Sequence, residues 1–186
     1  MLSLNSWTLQ NPSWQYMFWL DADNRRLFEQ HVPKYLQKYD GFATAISKAD
    51  YSRFAYLYVH GGVYADLDVE CLRPLSYLLK WGTGVVLGIM GKRPTFEHMV
   101  PNAWMASVPR HPLWLKCMEM AYQVPGRIEA VAGPTLLKNC LEAFTGKPLK
   151  YGWNCTEGWD AVTGLGTPRF DKLLAAATGE SYAVIV

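Results

Sequence analysis

Apolar residues fall at helical spacing through Tyr51, Phe54, Ala55 and Tyr58, and after Gly61-Gly62 the spacing drops to two. Ser47, with Asp50 three residues on, has the form of a capping box, which predicts a helix beginning at Ser47. Glycine accepts the left-handed conformation that helix ends use, so Gly61-Gly62 ends this one. Val63, Ala65, Leu67 and Val69 then alternate with Tyr64, Asp66, Asp68 and Glu70. That pattern predicts a strand with one apolar face and one face bearing three acids.

Elsewhere the pattern is coarser. A short helix is expected over residues 2–10, ending before Asn11-Pro12, and the apolar run from Tyr16 to Leu20 has strand length. Asp21 and Asp23 then open a helix covering Asn24 to Gln30. Val32-Pro33 interrupts it, and Lys34 to Tyr39 is a short amphipathic piece. Past Pro74, a helix is expected from Leu75 to Trp81, a turn at Gly82-Thr83-Gly84 and a strand from Val85 to Met90. Helices follow from about Leu113 to Gln123, from Ala132 to Phe144 and from Phe170 to Ala177, with a final strand from Tyr182 to Val186. Lys150 to Pro168, rich in Gly, Trp and Thr, reads as an irregular lid. Alternating helices and strands predict an α/β domain, and 186 residues without repeats or linkers suit a single one.

A net charge of +2, with no basic run, gives no reason to expect nucleic acid as a partner. No apolar run approaches the roughly 20 residues that span a bilayer, and the N-terminus lacks the form of a signal peptide. Cys71, Cys117, Cys140 and Cys155 show no metal-binding spacing and read as buried thiols, with a disulfide as the alternative. Asn154-Cys155-Thr156 fits a glycosylation acceptor. His31, His60 and His98 read as surface or capping residues. Aromatics make up 14% of the chain, enough to build a core and to line a sugar or nucleobase pocket.

The chemistry concentrates in residues 47–75. On a strand, Asp66 and Asp68 would have alpha carbons about 6.6 Å apart and side chains on one side. Two such carboxylates suit a hard cation, Mn²⁺ or Mg²⁺, whose shell is completed by phosphate oxygens. A bare Asp-x-Asp is weak: at ordinary composition about one is expected in a chain of this length, and Asp21-Ala22-Asp23 is a second. Asp50 and Arg53, three apart, share a helix face.

The assembly of Asp50-x-x-Arg53, Gly61-Gly62 and Tyr64-x-Asp66-x-Asp68 resembles the sugar-binding region of glycosyltransferase family 32. That family includes inositol phosphoceramide mannosyltransferases and initiating α-1,6-mannosyltransferases. The resemblance is strongest over residues 47–75. It implies a GT-A-type fold, with a mixed sheet flanked by helices, and a single catalytic domain with a donor half (residues 1–90) and an acceptor half (residues 91–186). The family's opening strand and its His- and Trp-containing tail are not recognised here. It further implies transfer of a hexosyl unit, mannose favoured and with retention, from GDP-mannose or a UDP-hexose to a hydroxyl of a glycan or glycolipid such as inositol phosphoceramide. Asp66 and Asp68 would bind the metal and, with Arg53, carry catalysis. Asp50, Arg53, Gly61, Gly62 and Tyr64 would hold the donor sugar. Asn102, Ser107, His111 and Gly133 are candidates for the acceptor or sugar side, although Pro112 beside His111 and Pro134 beside Gly133 also mark plain helix starts. Family analogy places the protein in the Golgi lumen or at its membrane; a chain complete as given would be soluble.

Two other readings remain open. A haloacid dehalogenase-type phosphohydrolase would use Asp66 as nucleophile, but such sites usually carry Thr or Val where Glu70 stands. A truncated relative would bind a sugar nucleotide without turning it over.

Overall fold

The computed structural model describes residues 2–75, 84–89, 99–121, 128–146 and 182–184. Its elements in order are α1 (Leu2–Gln10), α2 (Asp21–His31), a 3₁₀ turn (Pro33–Tyr35), α3 (Leu36–Gly41), α4 (Ala45–Val59), β1 (Gly62–Ala65), β2 (Val85–Leu87), β3 (Trp104–Ser107), α5 (Pro112–Ala121), α6 (Ile128–Val131), α7 (Pro134–Thr145) and β4 (Tyr182–Val184). The chain is α/β, as expected. The strands form one sheet in the order β1-β3-β2-β4. β3 runs antiparallel to both β1 and β2, and β2 pairs with β4 in parallel, so the sheet is mixed.

α4 is the central element. Tyr51, Phe54, Ala55 and Leu57 have no exposed surface, and Ser47, Asp50 and Ser52 are buried with them. A helix apolar on nearly every side belongs inside a domain. Phe28 from α2 stacks on Tyr51 at 5.3 Å and on Tyr39 of α3 at 4.7 Å. On another side Phe54 stacks on Trp114 of α5 at 6.1 Å. The Tyr51 hydroxyl donates to the Met118 carbonyl at 3.1 Å, so the buried phenol is satisfied. Each fully buried ring of this kind contributes about 1.5–3 kcal/mol.

Four readings from the pattern need correction. The cap of α4 is Thr44, whose hydroxyl accepts from the Ser47 N–H at 3.1 Å; Ser47 lies inside the first turn. β1 stops at Ala65 instead of running to Glu70. Asp66 N–H still donates to the Ala103 carbonyl at 2.8 Å, but Val69 N–H then donates to the Asp66 carbonyl at 3.0 Å, and a turn replaces the strand. Tyr16 to Leu20 forms no ladder among the described residues and leaves Met17, Phe18 and Leu20 exposed. Finally, β3 was not expected. Four largely buried residues between Pro101 and Pro109 give no alternation to read.

Other boundaries moved little. The acids ahead of Asn24 do open α2: the Leu20 N–H donates to the Asp23 carboxylate at 3.2 Å. Gly61 and Gly62 both take positive φ, +66° and +80°. Gly61 is further constrained, because a Cβ there would lie 2.6 Å from the Pro109 nitrogen. Cys71, Cys117 and Cys140 are buried free thiols. Beyond Leu75 the expected helix to Trp81 lies outside the described residues, as do the helix at Phe170–Ala177, the turn at Gly82, the lid at Lys150–Pro168, the Asn154 acceptor, His98 and Cys155.

Candidate active site

α4 and β1 meet at Gly61-Gly62, and this junction sets the chemistry. Asp50 and Arg53 lie on one face of α4 and form an ion pair of 2.8 Å. The other guanidinium nitrogen reaches Asp66 at 3.0 Å, just past the carboxyl end of β1. Arg53 therefore bridges two carboxylates, and its Nη1 also donates to the Asn102 carbonyl at 3.3 Å. The Asn102 side-chain amide donates to Asp50 Oδ1 at 3.1 Å. The Tyr64 hydroxyl donates to Asp66 Oδ1 at 2.5 Å, and the Arg53 guanidinium lies 5.0 Å from the centre of the Tyr64 ring. Burial pushes the Tyr64 phenol well up; its bond to Asp66 adds to this, against the opposing Arg53 charge. The phenol thus stays protonated and remains a donor.

These groups differ in access. Asp50 and Arg53 side chains are 9% and 14% exposed, whereas Asp66 is 28% exposed. Arg53 Nε is buried and has no hydrogen-bond partner among the described residues. Tyr64, Asp66 and Leu67 line a cleft of about 810 Å³; Asp50, Arg53 and Asn102 are not among its lining residues. Asp68 is exposed on the turn and has no contact of its own among the described residues. Two carboxylates, Asp50 and Asp66, share one guanidinium, so the group carries a formal surplus of one negative charge.

Asp66 and Asp68 carry the carboxylate oxygens left to bind a divalent cation. Oδ1 of Asp66 is taken by Arg53 and Tyr64, whereas its Oδ2 and both oxygens of Asp68 have no partner among the described residues. No group of three or more His, Cys, Asp or Glu side chains gathers among the described residues. A hard cation would therefore rest on Asp66 and Asp68, with phosphate and water oxygens completing its shell.

Of the remaining expected residues, Asn102 joins the Arg53 group, and Gly61 and Gly62 line the cleft. Ser107, His111 and Gly133 make other contacts. Ser107 Oγ accepts from the Trp114 indole N–H at 2.7 Å and donates to the Val108 carbonyl. His111 Nδ1 accepts from the Leu113 N–H at 3.3 Å, capping α5, and burial lowers its pKa. Gly133 is the residue before α7.

The pattern did not single out the aromatic wall of the cleft: Trp7, Trp14, Trp19 and Tyr56, with Asn24 and His60. Trp19 stacks on Tyr56 at 4.5 Å, and the Tyr56 hydroxyl donates to Asn24 Oδ1. The available signal was the density of rings between Trp7 and Trp19.

Residues 1–85 match the family described as "Glycosyltransferase sugar-binding region containing DXD motif". Inositol phosphoceramide mannosyltransferase 1 of Schizosaccharomyces pombe is 30% identical over 114 residues, 59% of this chain and 34% of that one. Mannosyl phosphorylinositol ceramide synthase SUR1 of Saccharomyces cerevisiae is 33% identical over 109 residues, 59% of this chain and 27% of that one. The chain thus spans about a third or less of the length of these relatives. A shorter match, 44% over 55 residues, is to tripeptidyl-peptidase sed4 of Aspergillus fumigatus; it covers 26% of this chain and 9% of that one. Among solved structures, the PaToxG glycosyltransferase is 19% identical, with a TM-score of 0.42, covering 77% of this chain and 44% of that one. Asp50, Arg53, Asp66 and Asp68 all lie within residues 1–85, the part of the chain that is similar to this DXD-motif sugar-binding family.

Proposed function

We propose that the protein is a metal-dependent hexosyltransferase that takes its sugar from GDP-mannose or a UDP-hexose. Mannose is favoured, because the relatives named above include an inositol phosphoceramide mannosyltransferase and a mannosyl phosphorylinositol ceramide synthase. The observation that carries this reading is the bridge from Asp50 through Arg53 to Asp66 at the edge of the cleft. It links the helix pair and the first acid of the Asp-x-Asp motif into one group.

In this reading Asp66 and Asp68 hold Mn²⁺ or Mg²⁺ together with the donor diphosphate. The cation supplies Lewis-acid stabilisation of the departing diphosphate, worth several kcal/mol. Tyr64 and Arg53 fix the Asp66 carboxylate, so its second oxygen stays aimed without rotamer loss on binding. The donor sugar lies against Tyr64 and the Asp50–Arg53 pair, whose small exposure suits hydroxyl contacts and not a whole diphosphate. The acceptor is a glycan or glycolipid hydroxyl, retention is the stereochemical outcome, and the Golgi lumen or membrane is the location; these follow the family resemblance.

The test is release of nucleoside diphosphate from a panel of nucleotide sugars with Mn²⁺. The proposal expects release from GDP-mannose or a UDP-hexose, abolished in Asp68→Ala. Hydrolysis of simple phosphoesters with no nucleotide-sugar turnover would point to the phosphohydrolase instead. Metal-dependent binding without release would point to a non-catalytic relative.

A further inference from the structure

We propose that Trp7 is a positioning residue that sets the Asp66–Val69 turn and, through it, the cation affinity of the two carboxylates. This rests on the reading of that turn as a cation site, and it adds a residue 62 positions earlier in the chain.

The turn is fastened unequally. On the sheet side Asp66 is held three times over: by its N–H on the Ala103 carbonyl, by Arg53 and by Tyr64. Asp68 has no contact of its own among the described residues, so its place follows from the backbone on either side. The first fixed point past it is Val69. Its N–H closes the turn on the Asp66 carbonyl at 3.0 Å, and its carbonyl accepts from the Trp7 indole N–H at 2.8 Å. The chain beyond is tied to the same helix. Cys71 N–H donates to the Ser6 hydroxyl at 2.8 Å, and Leu75 N–H donates to the Asn11 side-chain oxygen at 3.0 Å. The Asn11 amide in turn donates to the Trp7 carbonyl at 3.3 Å.

The bond explains why the ring is an indole. Trp7 is buried to 9% exposure, and an indole N–H is a donor only, so it needs an acceptor there. Phenylalanine would fill the same space but release the Val69 carbonyl. The turn would keep its own closing bond but lose its tie to α1 at Val69, the next tie being Cys71 on Ser6, and Asp68 would sample positions away from a shared cation. Groups that orient metal ligands commonly alter affinity by 10–100-fold when removed.

Free Mn²⁺, followed by its electron paramagnetic resonance signal, measures this without turnover. Trp7→Phe is expected to bind Mn²⁺ about ten-fold more weakly than wild type, at the lower end of that range because it acts through backbone. Ser6→Ala, one hydrogen bond further along, should weaken binding about three-fold, and Asp68→Ala should abolish it. In turnover, raising Mn²⁺ should restore the Trp7→Phe kcat, a rescue that a general packing defect would not show. Should Trp7→Phe fail to fold, as judged by its melting curve, Ser6→Ala decides. Both variants binding Mn²⁺ within two-fold of wild type, while Asp68→Ala does not bind, would overturn the role of Trp7 and leave the cation site standing. A wild-type protein that binds no Mn²⁺ would overturn both.

Discussion

Arg53 uses one guanidinium for two carboxylates, 2.8 Å from Asp50 and 3.0 Å from Asp66. Its planar fork makes this possible; a lysine ammonium is a single point charge on a flexible stem. Arg53→Lys should therefore keep the charge but release one of the two acids, and Asp66 is the more exposed of them. Donor turnover is expected to fall by about 10–100-fold, the usual cost of losing a group that supports metal ligands. The measurement is kcat/KM for the nucleotide sugar at saturating Mn²⁺; a value unchanged within two-fold would show that the bridge has no part in the reaction. At this scale the sequence was informative where spacing was local. Asp50 and Arg53 are three apart on a helix, so that pair could be read directly; Asp66 and Asp68 were read onto one strand face, but the strand ends at Ala65 and Asp68 lies on the turn beyond it. The Arg53–Asp66 bridge joins two elements and has no periodicity to betray it. Ser107 and His111 looked equally free, but their partners, the Trp114 indole and the Leu113 N–H, appear only after folding.

Among the elements, α4 was legible because its apolar repeat is long and ends in two glycines. Its start was misread by three residues, since Thr44 and Ser47 are both capping residue types and it is Thr44 that takes the extended cap conformation and accepts the Ser47 N–H. β3 escaped because a short, largely buried strand lacks alternation. α5 carries a testable pH response. Its cap is His111, which accepts a backbone N–H on Nδ1, and burial lowers its pKa; the Phe144 ring lies 5.8 Å away. A histidine whose folded pKa is depressed binds its proton more readily when the chain is unfolded. Stability is therefore fully present above the unfolded value of about 6.5 and declines as pH falls from there toward the folded value. His111→Asn keeps a capping acceptor without the titration. The melting temperature of wild type should drop more steeply than that of His111→Asn between about pH 6.5 and 5; parallel curves would show that this cap does not titrate.

At the scale of the molecule, the mixed sheet and the core around α4 present the Asp66–Val69 turn at one end of β1, beside a cleft with an aromatic wall. Ligands of open α/β sheets occupy such strand ends, and Asp66 lies at one. The aromatic wall was the part least visible beforehand, because each ring taken singly reads as core; only the fold shows Trp14, Trp19 and Tyr56 sharing one cavity with Asp66. The account stands on a cation joining Asp66 and Asp68 to a diphosphate. Calorimetric titration of GDP and UDP into the protein, with and without Mn²⁺, and into Asp66→Ala tests that directly. Binding of one nucleotide should be at least about ten-fold tighter with Mn²⁺, as expected for a diphosphate held through the metal, and Asp66→Ala should lose this gain. Equal affinity with and without Mn²⁺, unaltered by Asp66→Ala, would contradict it.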